Sequence, residues 1–207
     1  MAAAIIKGNL FIVTAASGAG KTSLVKALLA KDNQIKLSVS HTTRAPRVGE
    51  QDGVHYHFVN QDQFLAVLES GGFLESADVH GAKYGTSQAA VDAALSAGYD
   101  VILEIDWQGA AQVRHIYPQS VGIFILPPSI EELESRLNNR GLDSIEVINL
   151  RVAAARDEMR HVVEFDYVTI NDNFDIALQD LMAIIHAHRL KSAAQLTRHA
   201  QLVQQLT

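Results

Sequence analysis

Ala15-Ala16-Ser17-Gly18-Ala19-Gly20-Lys21-Thr22 is the stretch whose residue types and spacing can do chemistry. Gly18 and Gly20 have no Cβ, so the backbone can curl and bring its N–H groups up to an anion. A helix start behind them adds free N–H donors and the positive end of a dipole. Lys21 can reach the β- and γ-phosphates of a bound nucleotide, and the Thr22 hydroxyl can ligate Mg²⁺. The usual pattern of such a phosphate loop begins with Gly, and here that position is Ala15. The bland alternative, an ordinary turn built of small residues, does not account for Gly-x-Gly-Lys-Thr in this context.

That context is a strand before the loop and a helix after it. Leu10-Phe11-Ile12-Val13 is a short apolar run that reads as a buried strand. Leu24, Val25, Leu28 and Leu29 form an apolar helical stripe. A second apolar run, Val101 to Asp106, ends in acids, and a period of two puts Glu104 and Asp106 on one face. Either acid could complete a metal shell with Thr22, through water. Asp106 could also simply cap the helix from Gln108 to Ile116. Val121 to Leu126 and Tyr167 to Ile170 read as further strands, and α/β alternation of this kind implies a parallel sheet flanked by helices.

Between these units lies a strand-rich insertion. A strand read at 35–40 leads into it, and it holds strands read at 54–59 and 73–79, a helix at 62–70, and a helix up to Ala97 capped by Thr86 or Ser87. Its polar loop carries two arginines three residues apart, Arg44 and Arg47. After Pro127-Pro128 come two charged helices, one with Arg136 and Arg140 and one with Arg151, Arg156 and Arg160, joined through Gly141. A hinged flap has this form, and so does a solvated helical hairpin. A long helix with Ile176, Leu178, Leu181, Ile184 and Ile185 follows the last strand. The tail from Lys191 has a weak stripe at Leu196, Leu202 and Leu206, which suits packing on a second copy in a homo-oligomer or fraying.

Composition bounds the reading. The 207 residues allow one core with insertions, and 48% hydrophobic with 19% charged residues is ordinary for a soluble protein. No apolar run is long enough to span a bilayer, and no signal-peptide pattern opens the chain, so no membrane partner is expected. With no Cys, thiolate metal sites and thiol nucleophiles are excluded. A net charge of −6 argues against nucleic acid as a partner. The cytoplasm is the expected compartment. His55 and His57 on one strand face could be half of a metal site, but no further ligand lies at the right spacing nearby.

A second set of residues is more specific than the loop. Ser40-His41-Thr42-Thr43-Arg44-Ala45-Pro46-Arg47, Gly53 to Tyr56, Phe73-Leu74-Glu75, Lys83-Tyr84-Gly85-Thr86 and Ile105-Asp106-Trp107-Gln108-Gly109 resemble guanylate kinase of the bacterial type. The resemblance runs from about Leu10 through the last strand and its helix. It implies a P-loop core (1–40, 97–127 and 161–207), a GMP-binding insertion (41–96) and a lid (128–160). The implied reaction is ATP + GMP giving ADP + GDP, with Mg²⁺. It also implies that Arg44, Arg47, Tyr56 and Tyr84 bind the GMP phosphate, while Ser40, Glu75, Thr86 and Asp106 line the base. Lys21, Arg44 and the lid arginines Arg136, Arg140 and Arg151 would act in catalysis, with Asn171 against adenine. A sugar-phosphate kinase, or a non-catalytic binding module of the same fold, are the competing readings. The first predicts no base pocket, and the second typically lacks an intact phosphate loop.

Overall fold

The computed structural model describes residues 7–79, 81–139 and 145–207. Strands that are apolar at every position need cover on both faces, and the runs at 10–13, 101–103 and 121–125 get it. β1 (Leu10–Ala15), β7 (Asp100–Glu104) and β8 (Val121–Leu126) are the centre of a five-stranded sheet. Its edges are β2 (Ile35–Leu37) and β9 (Tyr167–Ile170), in the order β2-β7-β1-β8-β9, with every pair parallel. Period two divides β1 between two cores. Phe11 and Val13 pack with Leu24 and Leu28 of α1 (Lys21–Lys31) and with Leu178 and Leu181 of α7 (Phe174–Arg189). Leu10 and Ile12 pack on the other face with Val91 and Leu95 of α3 (Gln88–Ser96) and Val113 of α4 (Trp107–Ile116).

A second, four-stranded sheet is built by the chain between β2 and α3. β3 (His41–Thr42), β4 (His57–Phe58), β5 (Phe73–Val79) and β6 (Ala82–Ser87) pair in the order β4-β3-β6-β5. The register of β5 on β6 shifts between Phe73 and Glu75, a bulge. Strict alternation would turn one of Leu74 and Glu75 outward. The bulge buries both, Leu74 in the core under α3 and Glu75 opposite Thr86. α2 (Gln61–Glu69) starts with a capping box between Asn60 and Gln63. Ser87, not Thr86, caps α3, its hydroxyl accepting from Ala90 N–H.

Two expected strands shorten, and of 35–40 only Ile35–Leu37 is strand. The stretch 54–59 keeps only His57 and Phe58 as strand, because Gly53 takes a left-handed turn (φ 72°) and the Asp52 carboxylate accepts from Phe58 N–H. The tail folds as two short helices, α8 (Ser192–Arg198) and α9 (Ala200–Leu206), with Leu196, Leu202 and Leu206 exposed. α5 (Ile130–Asn139) and α6 (Ile145–Met159) are the two charged helices; Arg140 and Gly141 lie outside the described residues. Among the described residues no helix is long and apolar enough to cross a membrane.

Candidate active site

Parallel strands aim their C-terminal ends at one crevice, where open α/β sheets take ligands. The loop 15–22 leaves the end of β1 there, beside the end of β7. Gly18 and Gly20 sit at φ 96° and 97°, the left-handed region that glycine tolerates. Gly20 is needed a second time. A Cβ on it would run into the Asn171 amide, which donates to Ala19 O at 2.7 Å. Asn171, expected against adenine, is buried and braces the loop from below. Lys21 opens α1 and its ammonium donates to Ile105 O at 3.2 Å. The Thr22 hydroxyl donates to the Glu104 carboxylate. Asp106 accepts from Gly109 N–H at 2.9 Å and so caps α4, with its other oxygen 3.1 Å from Gln108 Nε2.

The charged helices pack on this loop. Leu133 and Leu137 of α5 and Ile148 of α6 share the core of Ala16 and Ala19. Arg151 donates to Ser17 Oγ at 2.7 Å, and Ser17 N–H donates to the Glu158 carboxylate at 3.1 Å. Seven residues apart on one helix, the two side chains share a face. Spacing alone could have flagged Glu158, which was not among the expected site residues. Arg136 holds Glu132 at 2.8 Å and donates to Asn171 O at 3.0 Å.

The small sheet supplies the facing wall. Glu75, Ser40 and Thr86 are all buried. Thr86 Oγ1 donates to Glu75 at 2.5 Å and lies 3.3 Å from Ser40 Oγ. Burial, with the nearby Asp106 charge, pushes the Glu75 carboxyl up to about 7 against the pull of the Thr86 hydrogen bond. Tyr56 and Tyr84 stand edge to face 5.8 Å apart, and burial pushes the Tyr56 phenol up to about 12. Arg47 lines the same cavity, while Arg44 is paired with Glu50 at 2.8 Å and lies over the Tyr56 ring. One cavity runs from the loop 14–18 and 20–23 to Arg47, Tyr56, Glu75 and Tyr84, with Arg151 and Glu158 on its rim. Trp107 lines it too and stacks on His161, ring centres 3.6 Å apart. That stack joins the end of the charged helices to α4. The rings of His57 and His41 lie 4.8 Å apart, tilted by 37°.

A loop for phosphates and a buried carboxylate in one cleft narrow the field, and comparison decides it. The family model for guanylate kinase matches residues 7–188. The chain belongs to the guanylate kinase family. It is 67% identical over 201 residues to the guanylate kinase of Methylobacillus flagellatus, covering 97% of this chain and all of that one. The Acinetobacter baylyi guanylate kinase is 55% identical, with 97% of each chain covered. Among solved structures, guanylate kinase from Anaplasma phagocytophilum superposes with a TM-score of 0.75 at 30% identity, covering 93% of this chain and 89% of that one. The family model ends at residue 188, short of α8 and α9.

Proposed function

We infer that the chain transfers the γ-phosphoryl group of ATP to GMP, giving ADP and GDP. The observation that carries this is the single cleft joining the glycine loop to a buried Glu75–Thr86–Ser40 cluster. A phosphate oxygen of GMP forms the new P–O bond as the bond from the γ-phosphorus to the ADP oxygen breaks. That nucleophile carries its own charge, so no general base is required, and positioning with cationic stabilisation supplies the rate.

These roles are our reading of the site. The amides around Ser17 to Gly20 and the Lys21 ammonium hold the ATP phosphates. Arg151, already on Ser17, and Arg136 supply charge as the lid closes, together with Arg140. Arg44, Arg47, Tyr56 and Tyr84 take the GMP phosphate, arginine forks and phenols being suited to a dianion. Glu75 accepts from guanine N1–H and the N2 amine, with Thr86, Ser40 and Asp106 completing the base site. Thr22 and Glu104 bring two hard oxygen donors together at the loop, which fits Mg²⁺ held chiefly by the phosphates of its nucleotide. When bound, the ion neutralises charge on those phosphates.

This reading divides the chain into a core (1–40, 97–127, 161–207), an acceptor insertion (41–96) and a lid (128–160). The second sheet falls within 41–96 and both charged helices within 128–160, which supports the division. The reaction draws on the cytoplasmic nucleotide pool, and the cytoplasm is the compartment we assign. The test is ADP release from ATP with GMP, AMP, UMP or ribose 1,5-bisphosphate as acceptor. Turnover with GMP alone is expected; equal turnover with AMP or the sugar would contradict it.

A further inference from the structure

A buried carboxylate that reads a base has to be held at a fixed depth. Thr86 fixes Oε1 of Glu75 at 2.5 Å. The other oxygen, Oε2, faces α4 at the one position in that turn without a side chain. A Cβ on Gly109 would lie 2.5 Å from Oε2, 3.1 Å from the carboxyl carbon and 3.4 Å from Ile105 Cδ1. Carbon–oxygen contacts that short are not tolerated, so either the helix or the carboxylate would have to yield.

The helix is poorly placed to yield. The Gly109 amide is engaged by the Asp106 cap, and the neighbouring Ala110 and Val113 are fully buried. One turn on, the Gln112 amide clasps the backbone of Ser76, the residue next to Glu75. Its nitrogen donates to Ser76 O at 2.8 Å and its oxygen accepts from Ser76 N–H at 3.1 Å. The carboxylate end of Glu75 is the flexible party. Helix geometry itself gives no reason for glycine here. Gly109 lies inside α4 and is not among the residues with positive φ, and glycine within a helix costs about 1 kcal/mol relative to alanine.

We propose that Gly109 is a specificity-positioning residue. Its missing side chain makes the slot in which the Glu75 carboxylate rests at the depth that meets the acceptor base, and Gln112 locks β5 and α4 at that spacing. This rests on Glu75 reading guanine, and the experiment separates the two.

Steady-state kinetics are measured for the wild type, Gly109→Ala, Glu75→Asp, the double variant and Glu75→Gln, with GMP and AMP as acceptors. Gly109→Ala is expected to raise KM for GMP tenfold or more, to leave KM for ATP within twofold, and not to lower Tm. In the Glu75→Asp background the carboxylate is drawn back by one methylene. There the same substitution should change kcat/KM for GMP by less than threefold. A merely structural role would cost the same factor in both backgrounds, and that result overturns the proposal. So does a KM for GMP within twofold of wild type in Gly109→Ala. If Gly109→Ala proves unstable, Gln112→Ala carries the test: it should raise KM for GMP several-fold with KM for ATP unchanged, and no effect on GMP overturns the proposal. Glu75→Gln reports on the base reading by itself. A shifted GMP/AMP ratio there with Gly109→Ala silent leaves the reading standing and removes only the slot; an unshifted ratio removes both.

Discussion

The backbone N–H of Ser17 donates to the carboxylate of Glu158 at 3.1 Å, while the hydroxyl of the same serine accepts from Arg151 at 2.7 Å. A loop of N–H groups shaped for phosphate thus holds an anion from its own chain. A phosphate bound at the Ser17 amide would compete with Glu158 for that donor, while Arg151 and the buried Ile148 and Ala155 still hold α6 on the loop. Glu158→Gln should therefore bind ADP more tightly, by about three- to tenfold, because a neutral amide competes less well for the amides than a carboxylate does. Titration calorimetry measures it. Unchanged or weaker ADP binding would show that the contact does not compete.

Lys21→Ala removes the cation at the start of α1, beside Ile105 O. Turnover should fall by about a hundredfold or more, since charge on the transferring group is stabilised chiefly by fixed cations. Binding of GMP should survive, because its wall belongs to the other sheet. Turnover near that of the wild type would remove Lys21 from the phosphate site.

Glu75 predicts a pH dependence of stability. Its carboxyl titrates near 7 in the folded chain against 4.5 ordinarily. Between those values the folded state holds a proton that the unfolded state has released, so stability falls as pH rises through that window. The full cost, about 3 kcal/mol, is present above pH 7. Glu75→Gln does not titrate. Its Tm relative to wild type should rise by several degrees between pH 5 and pH 8. Parallel Tm curves across that range would mean that the carboxyl is not held in this way.

At the opposite end of the sheet, Arg189 bridges Asp32 and Asp100, each at 2.6 Å. Asp100 is almost wholly buried and also accepts from Asn9. Arg189→Met should cost about 3 kcal/mol by leaving that carboxylate unpaired, with kcat little changed. Chemical denaturation checks the first part and kinetics the second; a loss of kcat without a loss of stability would tie this end of the sheet to catalysis.

Much of this was legible from sequence. Continuous apolar runs gave the central strands, and 73–79 and 167–170 have the bounds read from their residues. The contacts that seat Glu75 were not legible. The bulge between Phe73 and Glu75 depends on cross-strand register, and the slot at Gly109 depends on how α4 approaches β5. Asn171 resembles a ligand contact, and the hydrogen bond by which it braces the loop at Ala19 O depends on β9 ending at the level where β1 turns into the loop. Val54 belonged to an alternating pattern, but a turn at Gly53 leaves it exposed. Periodicity reports which residues share a face. It does not report what the chain brings against that face.

The central claim is that Glu75 selects guanine in a site facing the ATP loop. Its most direct test is kcat/KM for GMP and for AMP in the wild type and in Glu75→Gln. A carboxylate offers two acceptors to the two donors of guanine and nothing to the N1 lone pair of adenine. Unpaired polar groups in a dry pocket cost enough for a preference on the order of a thousandfold. The wild type should show that preference for GMP, and Glu75→Gln should shrink it at least tenfold through loss on GMP and relative gain on AMP. A GMP/AMP ratio that is the same in both proteins would contradict the account.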